Sequence, residues 1–167
     1  MLHLVGPVAA NVRRQMKPFL ALACLALVTS IAAASEACSE AYEKATAEAS
    51  FKACIQAAES GDPDSEFGYA LILWSGHGRA ARPKEAVEWF RRAAKQGKHL
   101  ARFSLGVFLT DPRAPPEIRN LSEGYAWLVV GGSTDTAAQV KQRLSAPELE
   151  IAEQLAKEFA AKYGPSR

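Results

Sequence analysis

Apolar residues recur at helical spacing through most of the chain, and no apolar–polar alternation is long enough to make a strand. From Glu36 to Ser60 the chain is alanine-rich and helical, and Gly61-Asp62-Pro63 stops it. Asp62 is a cap for the next helix, with Pro63 at its first position and Glu66 a turn further in. That helix runs to about Ser75. Phe67, Ala70, Leu71 and Trp74 lie on one face, and Ile72 and Leu73 widen the face until it is nearly all-round. A helix with so little polar surface must be contacted on more than one side. Gly76-His77-Gly78 ends it. A second helix begins near Pro83, with Ala86, Val87, Phe90, Ala93 and Ala94 inward and Lys84, Glu88, Arg91, Arg92 and Lys95 outward; Gly97 ends it.

The same order then returns. Gly61 recurs as Gly97, Phe67 as Phe103 and Leu73 as Leu109, all at an offset of 36. Trp89 recurs as Trp127 at 38, because the loop Asp111–Asn120 is two residues longer than its counterpart. Leu100, Phe103, Leu105, Val107 and Phe108 make the next helix apolar, and the one after it is GYAWLVVGG. Thr134–Leu144 reads as another helix. Ser145 or Ala146 caps a long final one, with Pro147 at its start and Leu149, Ala152, Leu155, Ala156, Phe159 and Tyr163 as its stripe. Periods of this size mark stacked helix pairs. The expected fold is all-α: a short right-handed α/α solenoid of antiparallel helix pairs with capping terminal helices. Its segments are an N-terminal pair or cap at 36–60, repeats at 62–97 and 98–133, and capping helices at 134–163.

At these residues the chain resembles the Sel1-like repeat family, relatives of tetratricopeptide repeats. Gly76, Gly78, Ala86, Trp89, Phe90, Ala93, Ala94 and Gly97 match the first copy, and Ala101, Leu105, Gly106 and Trp127 the second. Departures are Tyr69-Ala70 where Leu-Gly is expected, Leu73 for Tyr, Arg79 for Val, and DPRAPPEIRN in place of the second G-x-G loop. The matching positions are read as structural: small residues let backbones approach, Trp89 and Phe90 fill space, and Gly76 and Gly78 allow positive φ. The resemblance implies protein–protein interaction. It also implies a second reading, an envelope hydrolase or β-lactam-binding protein of the cysteine-rich secreted type, against which a single cysteine pair argues.

Charge adds the N-terminal segment to this picture. Arg13, Arg14 and Lys17 precede Ala34, where no acidic residue lies. Taking those three from the 20 basic residues leaves 17 against 18 acidic, so the body is nearly neutral and carries no basic patch for nucleic acid. The basic start at Met16, the apolar run Phe19–Ala33 and the triplet Ala32-Ala33-Ala34 form a secretory signal pattern over residues 1–34, with Met16 an alternative start. The run is 15 residues, short of the roughly 20 that span a bilayer, which favours cleavage over a retained anchor. The expected location is periplasmic or secreted, with membrane contact only through the signal.

Little in the chain carries chemistry. His77 and His99 have no metal-ligand spacing, and the serines lack a nucleophile elbow. No phosphate-binding glycine pattern occurs, and Glu148, Glu150 and Glu153 read as a solvated face. The expectation is a non-enzyme with no metal or cofactor, holding a protein or peptide in the envelope. Tyr69, Trp74 and Arg102 are the candidate groove residues; core packing is the competing reading for Tyr69 and Trp74.

Export leaves Cys38 and Cys54 in an oxidising compartment, where an even count suggests one bridge. On one straight helix, 16 residues would hold them about 24 Å apart, and a disulfide needs Cα atoms within about 7 Å. A bridge therefore needs a chain reversal near Thr46–Ser50. Two buried thiols and a bridge between chains are the alternatives. With an intramolecular bridge, the exported monomer resists alkylation until reduced, then takes one label at Cys38 and one at Cys54, read by intact mass. Two labels before reduction would refute it.

Overall fold

The computed structural model describes Glu36, residues 47–76 and residues 80–164, all within one compact unit, residues 34–167. Residues 1–34, Cys38, His77 and Gly78 lie outside the described residues, Glu36 apart. Seven helices follow one another: α1 Ala47–Glu59, α2 Pro63–Ser75, α3 Pro83–Lys95, α4 His99–Thr110, α5 Leu121–Val130, α6 Thr134–Lys141 and α7 Ala146–Tyr163. Among the described residues there is no strand. Each helix from α1 to α5 packs on the next, and α7 packs on α5.

Local chemistry sets the helix ends. The Asp62 carboxylate accepts from the Ser65 N–H at 2.7 Å, and Pro63 opens α2. Gly76, with φ 79°, closes it in the left-handed region and donates to Ile72 O. Asn120 caps α5 through the Glu123 N–H, and at α7 the Glu148 carboxylate accepts from both the N–H and Oγ of Ser145. Those two bonds hold Glu148 below the usual carboxylate range. Glu148 is thus a cap; Glu153 pairs with Lys141 at 3.0 Å. The chain is already helical at Ala47, so the reversal expected at Thr46–Ser50 does not fall on residues 47–50. Cys54 is fully buried on α1.

Phe90 sits at the centre of the first unit, fully buried on α3. Its ring meets Phe67 of α2 at 5.7 Å and Phe108 of α4 at 5.2 Å. Ala86, Ala93, Ala94, Ala101 and Leu105 are buried around it, as their repeat positions imply. Trp89 is half-buried against the core, edge-on to Tyr69 at 5.3 Å, with the Arg92 guanidinium 4.1 Å over its ring. Besides the Phe90–Phe108 contact, several pairs join the two repeats. Lys98 pairs with Asp64 at the start of the first helices, Trp74 stacks on Phe108 at 3.9 Å near their ends, and Arg91 grips Glu123 with two bonds of 2.8 and 3.1 Å. Trp127 is fully buried under α7, with ring centroids of Phe159 at 4.4 Å and Tyr163 at 5.5 Å.

The α4–α5 crossing is the closest in the chain's glycine pattern. A Cβ on Gly106 would lie 2.5 Å from Leu128 Cγ and 3.0 Å from the Gly124 carbonyl oxygen. One on Gly124 would lie 2.4 Å from Thr110 Cγ2 and 2.9 Å from the Gly106 oxygen. The two backbones are in contact, so no side-chain rotation relieves the clash. Alanine's helix propensity gains about 1 kcal/mol over glycine. Overpacking here costs about 1–3 kcal/mol, and forced backbone separation adds to it. Gly124→Ala is therefore expected to lower stability by about 1–3 kcal/mol in urea titrations. A midpoint at or above that of the unchanged chain would contradict backbone contact.

Candidate functional site

The first helices of the two units, α2 and α4, lie side by side in the same direction, tied by Asp64–Lys98 and by the Trp74–Phe108 stack. Equivalent positions on successive units of a stack share one surface. On α2, Phe67, Leu71 and Trp74 are half-buried and packed against the core, Phe67 on Phe90 and Trp74 on Phe108. On α4, Leu100 and Phe103 face outward, and Val107 is half-buried against Leu128, Ala137 and Val140. Leu100 is 52% exposed and Phe103 39%, the large apolar side chains that the fold leaves open on this surface. Gly68, Ser75 and Ser104 fill the gaps. Beyond the Asp64–Lys98 pair at its edge, the face holds no charge from α2 or α4.

Of the three candidate groove residues, only Trp74 is half-buried rather than interior. Tyr69 is buried among Phe51, Trp89 and the core, and its hydroxyl accepts from Arg82 at 3.4 Å. Burial pushes its phenol above the usual value. Arg102, expected at a groove, is instead an interior residue with 1% exposure. Its guanidinium donates to Ala94 O at 3.0 Å, Val130 O at 3.5 Å, Gly164 O at 3.2 Å and Tyr163 O at 3.0 Å. Those are the carboxyl ends of α3, α5 and α7, where helix dipoles place partial negative charge. The correction has a physical cause: an arginine with carbonyl partners on every side is worth burying, and water offers it no better geometry. Leu100 and Phe103 were not singled out for the site. Their signal was present in the all-round apolarity of α4, which exceeds what the core can cover.

A second cleft of about 430 Å³ lies between α3 and residues 117–123. Lys84 pairs there with Glu117 at 3.5 Å and Arg91 with Glu88 and Glu123, while Arg119 donates to Pro112 O at 3.4 Å. Among the described residues no three His, Cys, Asp or Glu side chains are grouped to hold a metal ion.

Beneath the face lies a buried acid. Glu66 has 1% exposure and is held by Arg92 at 2.9 Å and by the Gln96 amide at 2.7 Å. Burial raises its carboxyl above the ordinary 4.5; Arg92 and Gln96 draw it back in part, and Asp62 adds to the rise.

No protein-family model matches the chain, and no curated protein matches it significantly in sequence. Among solved structures, a protective antigen present in uropathogenic Escherichia coli strains, displaying an SLR fold, matches with a TM-score of 0.69 and 21% identity. The match covers 80% of this chain and 30% of the antigen's. The chain therefore has the Sel1-like repeat (SLR) fold, an all-α helical repeat solenoid, and spans under a third of the length of that neighbour.

The Glu66 environment makes stability depend on pH in a defined direction. The folded chain keeps a proton on Glu66 where the unfolded chain has released it. This contribution is complete below the unfolded value of about 4.5 and is lost as pH rises through the higher folded value. Urea titrations should show the unchanged chain losing stability relative to Glu66→Gln across that rise. Parallel pH profiles for the two would contradict the assignment.

Proposed function

We propose that the chain is a non-catalytic adaptor of the cell envelope that holds a segment of another protein on the surface of α4 around Leu100 and Phe103. The observation carrying this reading is that apolar pair, 52% and 39% exposed on one face of one helix. Scattered apolar residues on a surface are ordinary, but two large ones side by side at helical spacing make an anchor for a bound segment. Grooves of helical repeats take peptides or helices in this way, and aromatic anchors carry most of the affinity. The neighbouring antigen has the same fold in a longer chain, so a binding role for this chain rests on its own face rather than on that protein's biology. The secretory pattern of residues 1–34 supports a periplasmic or secreted location, where Cys38 and Cys54 would tie the first helices together.

Position-specific photo-crosslinking in cells tests the reading. A benzophenone side chain at Phe103 should give a discrete protein adduct in the envelope fraction, and the same group at Lys157 on α7 should not. Phe103→Glu should weaken capture of that adduct protein at least about thirty-fold, near 2 kcal/mol, while leaving the thermal melt in place. Adducts of equal pattern from both positions, or none from Phe103, would overturn it.

A further inference from the structure

Helix α7 stands at the end of a linear stack and packs mainly on one neighbour, α5. Elements of that kind open at lower free energy than those held on two sides. Its own burial is slight. Of its 18 residues only Ala152 and Ala156 are fully buried, with Phe159 and Tyr163 partly so, and Ile151 is 56% exposed. What α7 covers is larger than what it buries of itself: the whole indole of Trp127 lies beneath Phe159 and Tyr163.

The last turn of α7 is gripped from inside. Two nitrogens of the Arg102 guanidinium donate to the Tyr163 and Gly164 carbonyls, while its Nε stays on Ala94 O of α3. The grip joins charge to the carboxyl end of a helix dipole. It also requires a cation to be kept from water, which is unfavourable by itself. When α7 lifts, the grip is lost, but the guanidinium is rehydrated. Closing and opening thus trade one set of favourable interactions for another at the same side chain. At the other end of α7, Ser122 Oγ donates to Glu148 O at 3.0 Å and Lys141 pairs with Glu153, both near the α6–α7 turn, where the helix would pivot.

We propose that α7 is a latched end-cap: it opens as a unit about the 142–145 turn, Arg102 is the catch, and opening uncovers Trp127 on α5. Arg102 is a positioning residue in this device. Of the Arg102 bonds named above, none reaches α2, so α2 serves as the internal reference.

Native-state hydrogen exchange of the full chain, followed by mass spectrometry in sub-denaturing urea, is the test. Amides of α7 should be protected at least about ten-fold less than those of α2 and α3. Arg102→Met should lower α7 protection by a further factor of about ten and leave α2 within two-fold. In a Trp74→Phe, Trp89→Phe background, where Trp127 is the sole indole, Arg102→Met should raise acrylamide quenching of its fluorescence. If Arg102→Met does not fold, Phe159→Ala, which thins the lid without touching the catch, should give the same selective loss in α7. Equal protection of α7, α2 and α3 in the unchanged chain would overturn the proposal. A variant that weakens every helix equally, or none, would overturn it as well.

Discussion

Everything in this structure hangs on how closely helix backbones can approach one another. At the crossing of α4 and α5, Gly106 and Gly124 bring carbonyl oxygens to within reach of a missing Cβ. Around Phe90 the same closeness is bought with alanines 86, 93, 94 and 101. Close approach brings the carboxyl ends of α3 and α5 near one point, and α7 adds a third. Three clustered negative dipole ends need a cation, and Arg102 supplies it. The small residues and the buried arginine are therefore one design feature: the first creates the electrostatic problem that the second solves.

That feature explains the division of the surface. Because the second helices turn their alanine faces inward, their outer faces can be charged, as Lys84, Glu88 and Lys95 are. The first helices have no such outlet. Their polar groups are few and are drawn inward, Glu66 to Arg92 and Gln96, Arg102 to main-chain carbonyls. What the first helices leave outside that is large and apolar is Leu100 and Phe103 of α4; α2 exposes Asp64 and Ser75.

Helix limits were legible because local rules write them. Pro63, Pro83 and Pro147 open helices where first-turn prolines belong, and Gly76 and Gly97 close them with positive φ. The repeat offset of 36 predicted the neighbours of Phe90. Tyr69 follows the core reading, and Arg102 was misplaced for a reason that periodicity cannot repair. The partners of Arg102 are carbonyls of residues 94, 130, 163 and 164, and a carbonyl has no signature in sequence. Glu66 read as a first-turn acid because its burial depends on Arg92 and Gln96, one helix away. Trp74 was visible as an excess of apolar bulk. Phe103 was hidden by its likeness to core.

Positive φ recurs at Gly61, Gly97 and Gly132, each at the junction from one helix pair to the next. Each of these reversals is set by its own glycine, and the one at Gly97 is further held by Arg102 and the Lys98 N–H of the next unit, on Ala94 O and Ala93 O. A chain punctuated in this way can be lengthened or shortened by whole units between those glycines without disturbing the helices on either side.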